Sequence, residues 1–326
     1  MKRFNNILCV VERDAGSKSG LERAVALAES NQASLTVVDV GERVRAGIGL
    51  PGGKLISGDL QTAIVGAHEQ DLAAIVEPYR ARIEIKTRVL IGTPFLEVIR
   101  EVLRFDRDLV IKSAETWDWH DRLFGSDDMH LLRKCPCPVW LIKPEAPKRF
   151  QCILVAVDVD DDFPPGEMES RRALNRQLIE MASSLALTDF AELHVVHAWD
   201  AMGESAMRGG FMETPEKKIT AYVEQERQRH MTNLDQLMRE VVAFVGQDSL
   251  DYLNPQKHLL KGWARKEIPA LARKIEADLV VMGTVARTGV PGLIVGNTAE
   301  TILNQINCSV LTIKPPGLKT PVTLED

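Results

Sequence analysis

Residues 278–300 read DLVVMGTVARTGVPGLIVGNTAE, and this stretch indicates the fold. It begins with the apolar run Asp278–Gly283, which is typical of a strand buried on both faces of a sheet. A glycine-containing loop follows, and Gly296-Asn297-Thr298 then supplies the small and capping residues with which helices begin. A buried strand that leads through such a loop into a helix predicts an α/β protein with a parallel sheet.

The chain as a whole is an internal repeat. Apolar segments of the first half match segments of the second half in the same order, and Gly92 precedes Asp108 by the same interval at which Gly262 precedes Asp278. Repetition on this scale indicates two copies of one structural unit. The matched pairs are Ile7–Glu12 with Ile153–Asp158, Leu35–Asp39 with Leu193–His197, and Val139–Pro144 with Val310–Pro315.

Each repeat alternates short β-branched runs with longer amphipathic segments, which predicts a parallel sheet covered by helices on both faces. We expect two tandem doubly wound domains, over residues 1–145 and 150–317, followed by a tail over 318–326. The short, proline-containing linker Pro144–Arg149 favours halves that pack closely. The predicted strands are Asn6–Val11, Ser34–Val40, Ile83–Ile91, Asp108–Ser113 and Val139–Ile142 in repeat 1, and Gln151–Asp158, Glu192–Ala198, Lys257–Lys261, Asp278–Gly283 and Ser309–Ile313 in repeat 2.

Composition excludes several classes of function. The chain has 326 residues, 45% of them hydrophobic and 26% charged, as in ordinary globular proteins. Its net charge of −6 argues against a nucleic-acid-binding surface, and no apolar run reaches the roughly 20 residues that span a bilayer. Five cysteines do not suggest a disulfide framework, and the N-terminal residues do not resemble a signal peptide. We therefore expect a cytoplasmic protein.

The loop after Asp278–Gly283 is where we expect a ligand, because ligands of open α/β sheets bind at the carboxyl ends of the strands. Its glycines at 283, 289, 292 and 296 let backbone N–H groups approach a ligand without obstruction by a Cβ atom. The helix that starts at Gly296-Asn297-Thr298 favours phosphate at its N terminus, and Arg287 adds a positive charge. A glycine-rich turn that serves only close packing is the alternative interpretation.

The spacing within this loop resembles that of the universal stress protein family, whose pattern is Gly-x2-Gly-x9-Gly-Ser/Thr. Here Gly283 is followed after two residues by Ala286 and after nine more by Gly296-Asn297. The strand that enters the loop and the closing strand Val310–Pro315 are also similar to the family. The resemblance covers essentially the whole chain, twice, and the tail from Thr320 is similar to that of E-type tandem members.

This resemblance implies a five-stranded parallel sheet of order 3-2-1-4-5 in each half, and ATP or a related adenine nucleotide as ligand. The chain departs from the family pattern at Ala286, where the family has glycine, and at Asn297, where it has Ser or Thr. The Cβ of an alanine crowds a phosphate, whereas an asparagine still caps a helix. The two departures weaken the inference to ATP in particular, but they leave an anion site intact.

The resemblance also implies roles for individual residues. Asp158 would face the ribose or the adenine, and the backbone at Val196 would meet the adenine edge. A carboxylate that caps a turn is the alternative role for Asp158. The loop residues would contact the phosphates. The implied nucleotide-binding residues are Asp158, Val196, Gly283, Thr284, Ala286, Arg287, Gly296, Asn297 and Thr298.

The corresponding loop of repeat 1 differs in both charge and backbone freedom. It has no glycine before Gly125-Ser126, the pair that aligns with Gly296-Asn297. Because carboxylates near a phosphate repel it, we expect repeat 1 to be structural and the chain to bind at most one nucleotide. The acidic residues of repeat 1 in this region are Glu115, Asp118, Asp121, Asp127 and Asp128.

Together these patterns favour a stress-response regulatory protein that binds an ATP-like nucleotide in repeat 2. Two alternatives stay open: a slow ATPase, and a carrier or sensor of a small amphiphilic or phosphate-bearing metabolite. The Met-rich segment Trp199–Pro215 would suit the carrier, because mobile methionines adapt to apolar ligands, or it is a disordered insertion whose apolar residues cover the long helix Lys217–Phe244. The sequence has no Ser-His-Asp or Cys-His spacing and no Walker motif, so we expect no dedicated catalytic residues. A scaffolding protein without a ligand is a further interpretation.

Three other polar groups have alternative interpretations. The run Asp160–Asp162 offers carboxylates for Mg²⁺ beside a phosphate, or forms a solvated acidic loop. Cys135-Pro136-Cys137 lacks the second pair that a zinc site needs. His194 and His197 point to opposite faces of one strand, so we interpret them as packing residues rather than as a metal site.

The last strands of the two repeats predict how the halves assemble. Members of the family often dimerise through this strand, and the chain contains two copies of it, Val139–Ile142 and Val310–Ile313. We expect the two to meet across a pseudo-two-fold axis, so that one chain imitates a dimer. Association of two such chains into a homodimer is a further expectation.

Overall fold

The computed structural model of the protein describes residues 4–12, 17–44, 57–114, 124–209, 214–284, 296–315 and 317–324. The strands are β1 (Asn6–Val10), β2 (Ser34–Gly41), β3 (Ile85–Ile91), β4 (Leu109–Ser113), β5 (Val139–Ile142), β6 (Cys152–Ala156), β7 (Glu192–Trp199), β8 (Gln256–Lys261), β9 (Leu279–Gly283) and β10 (Ser309–Ile313). Each lies within two residues of its predicted bounds. The helices are α1 (Ser17–Asn31), α2 (Ser57–Val76), α3 (Pro94–Phe105), α4 (Ser126–Lys134), α5 (Pro165–Asp189), α6 (Glu204–Arg208), α7 (Glu216–Val245), α8 (Gln247–Leu253), α9 (Ala264–Lys274) and α10 (Asn297–Leu303).

The described strands form one ten-stranded sheet in the order β3-β2-β1-β4-β5-β10-β9-β6-β7-β8. Within each half the strands are parallel and follow the order 3-2-1-4-5, which confirms the predicted fold class. Parallel strands need helical crossovers, and these place helices on both faces of the sheet. Two apolar layers result, one on each face, and both extend through the two halves.

The two halves meet at β5 and β10, which pair antiparallel as the sequence predicted. Val310 lies opposite Leu141, and Leu311 lies opposite Trp140. All four side chains are fully buried. Apolar burial and backbone hydrogen bonds thus join the halves into one continuous sheet.

Contacts beside the linker hold the halves together further. Arg23 on α1 of repeat 1 binds Asp189 on α5 of repeat 2 with 2.7 Å between Nη1 and Oδ2. Its guanidinium also lies 4.1 Å from the ring centre of Phe150, the buried residue that directly follows the linker. Because Asp189 also accepts a hydrogen bond from the Phe150 backbone at 2.9 Å, linker and helix are fixed to each other.

Candidate functional site

A cleft of about 520 Å³ opens at the carboxyl ends of the repeat 2 strands. Its floor is formed by the ends of β6, β7 and β9, and its sides by α5, α9 and α10. This is the edge at which open parallel sheets bind ligands. The predicted site residues that line it are Asp158, Gly283, Thr284, Gly296 and Thr298.

The other predicted residues lie elsewhere. Asn297 is the first residue of α10 and is exposed. Ala286 and Arg287 lie outside the described residues. Val196 is buried in β7, and its carbonyl oxygen accepts a hydrogen bond from the Val157 amide at 3.0 Å.

The expected role of Val196 therefore needs correction. Its carbonyl is already used within the sheet, so it is not free to meet an adenine edge. The residues of β7 that reach the cleft are His197, Ala198 and Trp199. The family resemblance assigned the adenine-binding position to Val196, which lies too early in β7. At Val196 the strand is still paired with β6.

Asp158 lies at the mouth of the cleft and is held by two partners. The Asn175 side chain accepts from the Asp158 amide at 3.1 Å and donates to its carbonyl at 2.7 Å. Arg171 on α5 binds the carboxylate at 2.5 Å, and its guanidinium lies 3.5 Å from the ring centre of Phe163. The carboxylate also accepts from the Asp160 amide at 3.3 Å, so Asp158 stabilises a turn as well. Arg171 is a cation at the cleft that sequence reasoning missed.

Thr284 carries an unused polar atom at the floor of the cleft. The residue is 1% exposed, and its hydroxyl has no hydrogen-bond partner among the residues that the structure describes. Its carbonyl accepts from the Gly296 amide at 3.0 Å, which joins the two ends of the glycine-rich loop. A buried hydroxyl without a partner is costly, and a ligand that hydrogen-bonds to it would remove that cost.

Gly283 has a packing role that the sequence left as the alternative. A Cβ at this position would lie 2.8 Å from Cδ2 of Leu174 on α5. In repeat 1 the pair is reversed, since Ser113 occupies the strand position and Gly20 the helix position. The absence of a side chain at Gly283 therefore accommodates Leu174, independently of any phosphate.

One side of the cleft is apolar and contains two exposed large side chains. Met202 is 80% exposed and Trp263 is 61% exposed, and both line the cleft beside the buried Trp199. Large apolar groups that remain exposed at a cleft are available to a ligand. Met202 belongs to the Met-rich segment noted in the sequence, whereas Trp263 precedes α9 and carried no sequence signal.

Repeat 1 fills the corresponding position with its own charges. Lys112 Nζ lies 2.7 Å from Oδ1 of Asp128 and 2.8 Å from Oε1 of Glu12. Lys112 and Asp128 are both at most 2% exposed. When the two repeats are aligned, Lys112 takes the position of Met282, Asp128 that of Ala299 and Glu12 that of Asp158. The three repeat 2 residues line the cleft.

The interpretation of Asp128 as a group that repels phosphate also needs correction. Its charge is neutralised by Lys112, so the effect on an anion is not simple repulsion. An ion pair within the chain occupies the space instead. Thr284 also has no hydroxyl counterpart in repeat 1, where Ala114 takes its place. Glu115, Asp118 and Asp121 lie outside the described residues.

The acidic run beside the cleft is ion-paired. The carboxylate oxygens of Asp160, Asp161 and Asp162 lie within 4.8 Å of one another. Arg229 on α7 binds Asp161 at 3.0 Å and Asp162 at 3.1 Å, and this pairing lowers the pKa of Asp162. Because Arg229 already binds two of the three carboxylates, we assign no metal to the run.

The family model for universal stress proteins, described as "Universal stress protein family", matches residues 3–143 and 149–314. The chain belongs to the universal stress protein family. It is 32% identical to universal stress protein E of Escherichia coli K12, over all of this chain and 99% of that protein. It also superposes on a putative universal stress protein of Pseudomonas aeruginosa UCBPP-PA14 with a TM-score of 0.68 and 27% identity, over 96% and 94% of the two chains.

Two more distant universal stress proteins have been solved with nucleotides. One is a complex with cAMP, at 14% identity and a TM-score of 0.32, and the other is an Archaeoglobus fulgidus protein with dAMP, at 17% and 0.29. They cover 44% and 50% of this chain. In the described part of this universal stress protein, no helix combines the length and apolar character that crossing a membrane requires.

Proposed function

We propose that the protein is a stress-response regulator that binds one adenine nucleotide in the repeat 2 cleft and signals through its bound state. The partnerless, buried hydroxyl of Thr284 carries this proposal, because it lies in a cleft of suitable size and is absent from repeat 1. The cytoplasm remains the predicted location.

The chemistry of the cleft supports a nucleotide over a purely apolar ligand. Gly296, Asn297 and Thr298 are the proposed phosphate contacts, together with Gly283, Ala286 and Arg287 of the same loop. Arg171 supplies an additional positive charge at the mouth, and Asp158 is the proposed partner of the ribose. If the nucleotide carries Mg²⁺, Asp160 is the carboxylate of the acidic run that lines the cleft.

The ion pair of repeat 1 supports a single nucleotide per chain. A phosphate at this position would have to displace Asp128 from Lys112. Breaking a buried pair costs about 3–5 kcal/mol, which exceeds the gain from an ordinary charged hydrogen bond of about 1.5–3 kcal/mol. Repeat 1 therefore keeps a structural role in this proposal.

A second candidate is a carrier or sensor of an amphiphilic or phosphate-bearing metabolite. The exposed Met202 and Trp263 favour it, because they offer apolar contact area next to the polar loop. Mass spectrometry of small molecules released from the purified, denatured protein distinguishes the two candidates. Slow hydrolysis of bound ATP is a third reading, and it predicts ADP in the same measurement.

Calorimetric titration with ATP tests the proposed site. We expect T284V to weaken binding about tenfold, because the loss of one hydrogen bond to a charged partner is worth about 1.5 kcal/mol. Stability should change little, since the hydroxyl has no partner to lose among the described residues. The matched control is T312V, whose hydroxyl donates to the Val139 carbonyl at 3.3 Å and which does not itself line the cleft. It should lower stability and leave affinity unchanged.

The loop itself is tested by the double variant R287A/G296V. It removes a cation and places a β-branched side chain where the proposed phosphate approaches. We expect it to abolish measurable binding. Equal titrations for the wild type, T284V and this variant would refute the assignment of the site.

A further inference from the structure

Two histidine pairs lie on opposite faces of β7, and only one of them is at the cleft. Nε2 of His197 lies 3.0 Å from Nδ1 of His230 on α7, and His197 lines the cleft. Nδ1 of His194 lies 2.9 Å from Nε2 of His258 on β8. Because residues three apart on a strand point to opposite faces, the second pair is a matched control for the first.

A backbone carbonyl determines where the hydrogens of the cleft pair lie. Nδ1 of His197 is 3.3 Å from the carbonyl oxygen of Val157, which can only accept, so His197 Nδ1–H donates to it. A neutral His197 therefore presents Nε2 as an acceptor, and His230 Nδ1–H donates to that atom. Both residues are 2% exposed, so water does not compete for these bonds.

The pair has room for one additional proton but not for two. If His197 becomes positively charged, its Nε2–H needs an acceptor, and His230 provides one by carrying its own hydrogen on Nε2 instead. A second proton would place two N–H groups and two positive charges against each other across 3.0 Å. Burial lowers the pKa of His197, which favours the neutral form of this residue when the cleft holds no anion.

Carboxylates lie near the pair, and Asp158 and Asp162 among them are bound to arginines. Asp158 raises the pKa of His197, and it is bound to Arg171. The other charged groups that face the pair are Asp160 after β6, Arg171 on α5, and Asp162, which Arg229 on α7 binds. The negative charge of a ligand in the cleft would act on the histidines in addition to these groups.

We propose that the His197–His230 pair takes up a proton when an anionic ligand enters the repeat 2 cleft, with His230 as the positioning residue that makes the uptake possible. The inference rests on the proposed function, since it needs a negatively charged ligand at this site. His197 lines the same cleft as Gly296 and Thr298, the proposed phosphate contacts, so a phosphate there would lie on the order of 10 Å from it. At that distance and an effective dielectric of about 20, one charge changes proton affinity roughly tenfold.

The sign of the pH dependence follows from this. The anion raises the pKa of the pair in the complex above its value in the free protein. Affinity is therefore highest below the pKa of the free protein and declines as the pH rises through the pKa of the complex. We expect ATP to bind more tightly at lower pH, by up to about tenfold across the titration.

Calorimetry in two buffers of different ionisation enthalpy measures the protons taken up per ATP. Protonation of the free nucleotide contributes equally to the proton uptake measured for every variant. Differences in uptake between variants therefore report protonation of the protein. We expect wild type to take up more protons than H230L at about pH 6.5, because leucine leaves the Nε2–H of a charged His197 without an acceptor. H230N should restore the uptake, since its amide oxygen can accept, and H258L should behave as wild type.

The outcomes separate this inference from the proposed function. Absence of ATP binding at every pH overturns both. Binding with the same proton uptake in wild type and H230L overturns the inference alone. A ¹⁵N–¹H correlation of the imidazoles in the ligand-free wild type gives an independent check, where hydrogen on Nδ1 of His197 supports the inference and hydrogen on Nε2 contradicts it.

Discussion

Single residues distinguish the two halves, and the clearest case is the buried charge at Lys112. The same backbone position in repeat 2 holds Met282, and the residue opposite is Ala299 rather than Asp128. One half thus closes the position with an ion pair, while the other lines a cleft with apolar side chains. Buried ion pairs contribute little net stability compared with apolar residues of similar size, because desolvation offsets their attraction.

This difference predicts that replacing Asp128 alone lowers the stability of the protein, whereas replacing Asp128 and Lys112 together does not. We expect D128A to destabilise the protein by about 3 kcal/mol. Lys112 would lose the carboxylate of Asp128 and retain that of Glu12. K112M/D128A introduces the repeat 2 residues and should lie within about 1 kcal/mol of wild type. Urea denaturation measures both. A double variant no more stable than D128A would contradict the argument.

At the scale of elements, the contact between α5 and β9 shows how each half pairs a larger residue with a glycine where a helix packs on a strand. Leu174 covers Gly283 in repeat 2, whereas in repeat 1 Ser113 faces Gly20. The Ser113 hydroxyl accepts from the Gly20 amide at 3.1 Å, so it also satisfies a donor near the start of α1. Each helix approaches its strand closely because one partner of the pair is small.

The reversal predicts a compensating pair of substitutions. G283S should destabilise the protein by about 1–3 kcal/mol, because the new side chain meets Leu174 at 2.8 Å. Adding L174A should recover part of that loss, since the helix position then resembles its repeat 1 counterpart. A cycle of thermal unfolding measurements over the four proteins gives the coupling. Strictly additive effects would show that the two residues do not compete for space.

At the scale of the whole molecule, the pairing of β5 with β10 makes the two repeats a single sheet. Each would otherwise be an edge strand of four or five buried residues, and such edges associate readily with other strands. The Arg23–Asp189 contact adds a link between α1 and α5 on one face of the sheet. We therefore expect the halves to associate without the covalent linker.

Separate expression tests this expectation. Residues 1–147 and 148–326, produced together, should copurify as a one-to-one complex. L311E in the second fragment should abolish the complex, because it places a carboxylate against the buried Trp140. Halves that remain monomeric when mixed would show that the linker, rather than the strand pairing, holds them together.

The sequence alone determined the strands, the internal repeat and the position of the cleft. These follow from local chemistry: β-branched runs form buried strands, and Thr284 and Gly296 lie where a strand ends and a helix begins. The meeting of β5 with β10 and the position of Asp158 beside the ligand site were implied by the resemblance to the family, and the structure shows the two strands paired and Asp158 at the cleft.

Only the tertiary structure decided which side chains meet. Lys112 and Asp128 lie in different elements, as do His197 and His230, and no periodicity links the members of either pair. Arg171 lies on α5 and Trp263 directly precedes α9, so both reach the cleft through helices whose orientation depends on packing against the sheet. Val196 shows the limit most clearly, since a shift of two residues along β7 separates a carbonyl used within the sheet from Ala198, which lines the cleft. Local patterns specify where a strand runs, but the relative lengths of neighbouring strands determine which of its residues a ligand can reach.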